Sequence, residues 1–454
     1  MSKYDFKYLL QENGWLENVT IDTDDNGIIK SINQLSSNSS ENIAIPGFQN
    51  AHSHAFQYAM AGLAEYHPTT KSPDDFWSWR KSMYELALKI DPDQLEAIAS
   101  MLYAEMVRHG YTHVAEFHYL HHDKKGKSFE NIAEMGSRLI QAAKNAGINI
   151  TLIPIFYQKG GFNKEATVEQ RRFISNNIDA YISLFEASKS LTLNESHASI
   201  SLGIHSMRAV ETDNIIKVSN YRKDHTPFHI HVSEQIKEVE DSLHYLKARP
   251  VEWLSDNIPL SKDYHLVHAT HLLEKEINAI ANSKANVVIC PSTEGNLGDG
   301  IFPLRNFLSK NGNWSIGTDS HIGINPMEEI KLLDYGQRLI TNKRNTFSNL
   351  ESGDSGFNAL KTALQSGRKA MGNQNSSFFE IGKPLNAVVY SSEHPLLSSC
   401  SKKNLCNTLV FASDISMLKA TIVNGNYIFN DGIHKNIKTI KHEFEKALKV
   451  LKCR

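Results

Sequence analysis

The stretch Ile45-Pro46-Gly47-Phe48-Gln49-Asn50-Ala51-His52-Ser53-His54 reads as an apolar strand that ends in His-x-His. Residues two apart on a strand point to the same face. His52 and His54 can therefore aim both imidazoles at one point, and neutral imidazole is the commonest protein ligand for zinc-like metals. Taken alone, two histidines near a strand end also fit polar loop residues. The reading turns on whether further ligand-type residues arrive at other strand ends.

Outward from this stretch the chain repeats strand and helix. Eight short runs rich in Val, Ile, Leu or Phe, at 43–53, 112–120, 148–157, 198–207, 227–233, 263–270, 285–292 and 313–319, have the look of strands buried on both faces. Amphipathic helical stretches follow them, among them Asp93–Arg108, Asn131–Asn145, Gln235–Asn257 and Met327–Ile340. Eight such alternations predict an α/β fold, a (β/α)₈ barrel over 44–377. A doubly wound open sheet is the competitor, but no G-x-G-x-x-G follows the first strand.

The flanks differ. Up to about Ile43, short apolar runs (Tyr8-Leu9-Leu10, Trp15-Leu16, Val19-Thr20-Ile21, Gly27-Ile28-Ile29) alternate with turns and suggest antiparallel strands. After Phe378 come Asn386–Tyr390, Thr408–Phe411 and Ala420–Phe429, the last with an Asn424-Gly425-Asn426 hairpin turn. Neither set has enough strands to be stable alone, so 1–43 and 378–435 are expected to pair as one small β domain. The tail, 436–454, reads as an amphipathic helix over Lys438–Leu451. The Ser/Asn-rich run 36–40 reads as a surface loop.

Bulk properties narrow the function classes. Among 454 residues, 48 basic and 50 acidic side chains leave a formal net charge of −2, so no bulk field favours nucleic acid or membrane. Hydrophobic content of 41% and charged content of 22% are ordinary for a globular protein. The four cysteines form no C-x-x-C pair, the start is too polar for a secretory signal, and no apolar run approaches membrane-spanning length. A reducing cytoplasm is the expected compartment. The 21 histidines are the compositional oddity, and many fall at strand ends.

Active-site groups of such barrels sit at the C-terminal strand ends. Strand one ends in His52-x-His54. Strand five reads Phe228-His229-Ile230-His231-Val232-Ser233-Glu234, strand six ends Val267-His268-Ala269-Thr270-His271, and strand eight ends Gly317-Thr318-Asp319-Ser320-His321. Three imidazoles and a carboxylate, with one coordination position left for water, make a catalytic zinc set.

This combination resembles the amidohydrolase superfamily in its mononuclear, deaminase-like branch. The resemblance implies one Zn²⁺ per chain bound by His52, His54, one strand-five histidine and Asp319. The deaminase pattern His-x-x-Glu fits His231 with Glu234 and leaves His229 as the inner neighbour. Strand four ends in His205-Ser206-Met207-Arg208, with no lysine to bridge a second metal. The implied chemistry is attack by metal-activated hydroxide, water at zinc having its pKa lowered from ~15.7 to ~7. Asp319 and His268 would orient the hydroxide and take its proton, and Glu234 would shuttle a proton to the leaving nitrogen.

Further runs narrow the resemblance. His52-Ser-His-Ala-Phe-Gln57, Ala59–Glu65, Phe76-Trp-Ser-Trp-Arg80, Glu116-Phe-His-Tyr-Leu-His-His122, Gly203–Val210, Arg249-Pro-Val-Glu-Trp253, Cys290–Gly300 and Asp334-Tyr-Gly-Gln-Arg338 are similar to those of the formimidoylglutamate deiminase family. That family hydrolyses N-formimino-L-glutamate to N-formyl-L-glutamate and ammonia in histidine breakdown. Met207, Tyr58 and Gly295 depart from its motifs without touching a ligand or acid/base position. A substrate with two carboxylates needs cations in its pocket, and Arg80 and Arg208 suit bidentate carboxylate recognition. By resemblance, Gln57, Tyr119 and His205 add hydrogen bonds to substrate, and the assembly is a homodimer. His118, His121 and His122 are expected to hydrogen-bond the pocket wall, and Trp77 and Trp79 to pack under the loop after strand one. The alternatives are a related aminohydrolase for a purine, pterin or guanidino compound, and a non-catalytic scaffold on the same fold. The first wants stacking groups and few cations. The second would have lost ligands that are all present here.

Overall fold

The computed structural model describes residues 1–37, 40–66, 74–223, 225–349 and 352–452. Part of the 36–40 loop and the terminal Cys453-Arg454 lie outside them.

The strands Phe48–Ser53, Tyr111–His118, Asn149–Phe156, Leu202–Ser206, Phe228–Val232, Tyr264–His268, Asn286–Ile289 and Asn313–Ile316 pair in parallel in chain order. They are the first to eighth barrel strands below. The third and fifth are buried along their whole length, as strands covered on both faces must be. Closure comes from a parallel bridge between Ser53 and Asp319, with the Thr318 and Asp319 N–H groups donating to the His52 carbonyl at 3.1 and 3.0 Å. An open sheet has no such seam, so the molecule is a (β/α)₈ barrel. The seam also sets His52, His54 and Asp319 side by side.

The run 43–53 is two strands, not one. Asn42–Pro46 belongs to a separate sheet, and the barrel begins at Phe48. Pro46 offers no N–H to continue a ladder. Gly47 passes so close to the second strand that a Cβ there would lie 2.2 Å from the Thr112 side chain. The expected boundary at residue 44 therefore falls inside Asn42–Pro46.

That separate sheet has eight strands and joins both ends of the chain. Ser2–Gln11 and Gly14–Thr23 form one long hairpin extended by Ile29–Gln34, merging the short N-terminal runs. Asn42–Pro46 lies between Ser2–Gln11, in parallel, and Ala387–Ser391, antiparallel. Leu418–Val423 and Asn426–Asn430 turn at Asn424-Gly425, both left-handed, as a two-residue hairpin loop demands.

Two element expectations fail. Thr408–Phe411 is not a strand: it lies in the helix Leu405–Ala412, whose buried Leu405, Cys406, Leu409 and Val410 recur at helical spacing. Gln235–Asn257 divides into Ile236–Leu246 and Pro250–Asn257, because Lys247 turns left-handed and Pro250 starts the second helix. The C-terminal helix Ile437–Leu451 packs on Pro92–Arg108, and its Phe444 stacks on Tyr58 beyond the first barrel strand. Among the described residues no helix is long and apolar enough to cross a membrane.

Candidate active site

The imidazoles of His52, His54 and His231 converge at the top of the barrel. His52 Nε2 lies 3.1 Å from His54 Nε2 and 3.0 Å from His231 Nε2. His54 Nδ1 faces the Phe117 carbonyl at 2.8 Å, and His231 Nδ1 faces the His205 carbonyl at 2.9 Å. A carbonyl only accepts, so these outer nitrogens carry the hydrogens and the inner Nε2 atoms of His54 and His231 are bare lone pairs. Burial holds His54 neutral, its pKa down at about 3, and pushes His52 and His231 well below the ordinary imidazole range. Bare nitrogens this close repel unless a cation sits among them.

Asp319 completes the ring, its Oδ1 being 3.3 Å from His54 Nε2 and 3.7 Å from His52 Nε2. Neutral nitrogens with a carboxylate form the donor set of a catalytic zinc ion. At Zn–N bonds of ~2.0–2.1 Å a tetrahedral ion spaces its ligands by roughly 3.3–3.4 Å, close to the separations found. The residues fit the metal. Burial pushes the Asp319 carboxyl up to about 7 against the pull of His268, which leaves it in need of a further positive charge.

The model described as the amidohydrolase family matches residues 43–428. The chain belongs to the amidohydrolase family. It is 38% identical over 441 residues, 96% of either chain, to the formimidoylglutamate deiminase of Pseudomonas aeruginosa. Its structure matches that of an amidohydrolase from Brucella melitensis with a TM-score of 0.92 at 36% identity, over 99% of this chain and 100% of that one. An adenosine deaminase from Xanthomonas campestris solved with bound zinc shares the fold, with a TM-score of 0.80 at 17% identity over 100% of this chain and 98% of that one. This amidohydrolase is thus a metal-dependent hydrolase acting on C–N bonds.

Beside the histidine cluster of this amidohydrolase stand His268 and three carboxylates. His268 Nε2 is 3.6 Å from Asp319 Oδ2 and 3.8 Å from Glu234 Oε1. On its other side His268 Nδ1 donates to Glu294 Oε1 at 3.2 Å. Burial opposes its protonation, but the carboxylates of Glu234, Glu294 and Asp319 win and raise its pKa to about 10. Ser233, His268, Ala269 and Asp319 all adopt left-handed backbone, and none is glycine. Strain of ~1–3 kcal/mol each persists only where surrounding contacts enforce it.

The cleft above is lined by Gln57, Arg80, Tyr119, His205 and Arg208 as well as His54, His231, Glu234, His268 and Asp319. Every residue expected to bind metal or substrate or to move a proton lines this cleft except His52, whose Nε2 lies 3.1 Å from that of His54. Phe76, Trp79, Arg80, Met83 and Tyr84 reach it from a single helix, Phe76–Ala87, at spacings of three, four, seven and eight. Asp75 caps that helix, accepting the Trp77 and Ser78 N–H groups. Trp79 thus lines the cleft, while Trp77 lies under the Arg80 guanidinium at 4.4 Å. Gln57 Nε2 donates to the Tyr119 hydroxyl at 2.9 Å. His121 and His122 meet the Ile155 and Ile174 carbonyls, and neither these histidines nor His118 line the cleft.

The two arginines differ. Among the described residues no carboxylate pairs with Arg80. Arg208 is already engaged, 3.6 Å from Glu234 and 3.3 Å from Glu238. Both weigh against protonating the buried His205. Glu294, Glu238, Tyr157 and Glu116 escaped the sequence reading. Glu294 lies within the Cys290–Gly300 run, five residues after the seventh barrel strand ends at Ile289, and that position was its one available signal. Glu116 binds the Ser53 hydroxyl and the Ala55 N–H, both at 2.6 Å, and so brackets His54.

Proposed function

We propose that the chain is a zinc-dependent formimidoylglutamate deiminase, hydrolysing N-formimino-L-glutamate to N-formyl-L-glutamate and ammonia. One observation carries the substrate: a cleft that ends on a histidine–aspartate metal set is also faced by two arginines, and among the described residues no carboxylate pairs with Arg80. The printed name of the 38% identical relative supports the same choice.

His52, His54, His231 and Asp319 would hold the ion, which supplies Lewis-acid polarisation and makes water acidic near neutral pH. The chain's own groups do the rest. His268, held protonated by the carboxylates around it, orients the attacking water with its Nε2, and the Asp319 carboxylate 3.6 Å away accepts the proton that water loses, with Glu234 3.8 Å from the same Nε2. Glu234 delivers a proton to the leaving nitrogen, the tetrahedral carbon collapses to a carbonyl, and ammonia departs. Arg80 and Arg208 receive the two carboxylates, Gln57, Tyr119 and His205 supply hydrogen bonds, and Phe76, Trp79 and Leu297 close the cleft to bulk water. A homodimer in the cytoplasm belongs to the same proposal and is read from light scattering and fractionation.

A purine or related aromatic substrate is the second reading, favoured by the aromatic wall of Phe76, Trp79, Tyr119 and Tyr157. Ammonia release by zinc-loaded protein from N-formimino-L-glutamate, N-formimino-L-aspartate and adenosine separates the two. Release from the glutamate compound alone supports the proposal. Release only from adenosine replaces it.

A further inference from the structure

Glu238 has no part in the chemistry above, yet it is buried with its side chain fully enclosed. It sits in the first turn of the helix Ile236–Leu246, where a glutamate ordinarily reaches back to the N-cap N–H. Here it reaches further. Its Oε1 accepts the Ser233 N–H at 3.2 Å, and its Oε2 accepts the Glu234 N–H at 3.1 Å and lies 3.3 Å from Arg208 Nη1. Arg208 in turn lies 3.6 Å from Glu234 Oε2. The backbone so gripped includes Ser233, held at φ 52 although it is not glycine.

We propose that Glu238 is the positioning residue for Glu234: one carboxylate grips the two peptide N–H groups at Ser233 and Glu234 and anchors the guanidinium that braces the Glu234 side chain. The proposal rests on the deiminase reading for Glu234. A buried charge with two backbone donors and one cation is fully partnered, so removing it leaves three groups unsatisfied together. A shift of about 1 Å in a catalytic group can cost about a hundredfold in rate. Bringing that shift about takes only the charge-neutral Gln, whose amide presents an N–H toward one donor. It also takes only the shorter Asp, whose carboxylate falls short of the peptide groups.

The test uses full-length, zinc-loaded wild type, E238Q and E238D, with kcat, zinc content, Tm and amide hydrogen exchange over residues 232–236. The expected result is a ten- to hundredfold fall in kcat with zinc retained, and exchange of the Ser233 and Glu234 amides at least tenfold faster. A purely structural role would lower Tm and leave kcat per folded, zinc-loaded chain unchanged, which overturns the proposal. So does a fall in kcat with exchange unaltered. If both variants fail to fold, wild-type exchange decides: core-like protection at 233–234 supports the grip, and loop-like rates overturn it. If wild type releases no ammonia, the deiminase reading fails, and the exchange arm still decides whether Glu238 holds this backbone.

Discussion

Two pairs of histidines stand on the same two barrel strands, and only one of the four rings is held charged. His229 and His265 stack at 4.7 Å in the interior, and His231 and His268 stack at 5.5 Å one layer higher. All four are buried. The lower pair has no carboxylate beside it among the described residues: His229 meets the Ala370 carbonyl, and His265 meets the Asn286 amide and feels the Lys369 cation. Burial outweighs the Ala370 hydrogen bond, and His229 falls to about 3. In the upper pair His268 stands among Glu234, Glu294 and Asp319 and rises to about 10. Burial by itself keeps an imidazole neutral. Loops that return carboxylates to the strand ends hold the same ring protonated, and the loops after barrel strands emerge on one face only.

The sharpest way to break this comparison is to exchange roles between layers. His231→Ala should abolish both metal content and ammonia release. His229→Leu should retain the metal and cost only about 1–3 kcal/mol of stability, through the unpaired Ala370 carbonyl. Metal analysis and denaturant melts check both, and metal loss from the His229 variant would mean that the wrong strand-five histidine was chosen.

Next in size is Glu234→Gln, which should lower kcat by ~10²–10⁴-fold with zinc retained, the scale of acid–base catalysis. Unchanged kcat would move the acid elsewhere in the carboxylate ring around His268. Arg80→Leu and Arg208→Met should each cost roughly 10–100-fold in kcat/KM for the dicarboxylate, the range of a charged hydrogen bond. Arg208→Met should also lower kcat, because it braces Glu234. Arg80→Leu should act mainly on KM.

The smallest effect is on pH stability. His229 has a folded pKa of about 3 against 6.5 for a free imidazole. The unfolded chain therefore binds more protons between those values, and stability is lost as pH falls from 6.5 toward 3. Each such histidine contributes up to about 1.4 kcal/mol per pH unit inside that window. His118, at about 3, and His113, at about 4, act in the same direction. Stability measured at pH 7.5 and 5 should fall less in His229→Leu than in wild type. An equal fall would show that His229 is not held neutral.

Much of this was legible in the chain because strand geometry is periodic. Once His52-x-His54 is placed on a strand end, the side chains at 231, 268 and 319 fall at equivalent ends, and a barrel brings such ends to one rim. Gln57, Arg80, Tyr119, His205 and Arg208 also reach that rim. The failures arose where local pattern is ambiguous. Thr408–Phe411 has the composition of a strand, but burial of one side against the helix Ser355–Ala370 makes it helical. The run 43–53 carries one continuous apolar signal across two sheets, and the break at Gly47 depends on a neighbour, Thr112, far away in sequence.

The sequence by itself determined the barrel, the rim on which chemistry collects and the kinds of residue that collect there, since these follow from period and order along the chain. Only the tertiary structure decided which partners each group meets. It set Asp319 against His52 through the closing seam, put Glu294 behind His268, and bound Arg208 to Glu234 and Glu238 while leaving Arg80 without a carboxylate among the described residues. The physical reason is that a charge's behaviour depends on what lies within a few ångströms. Those neighbours come from strands and loops dozens to hundreds of residues apart.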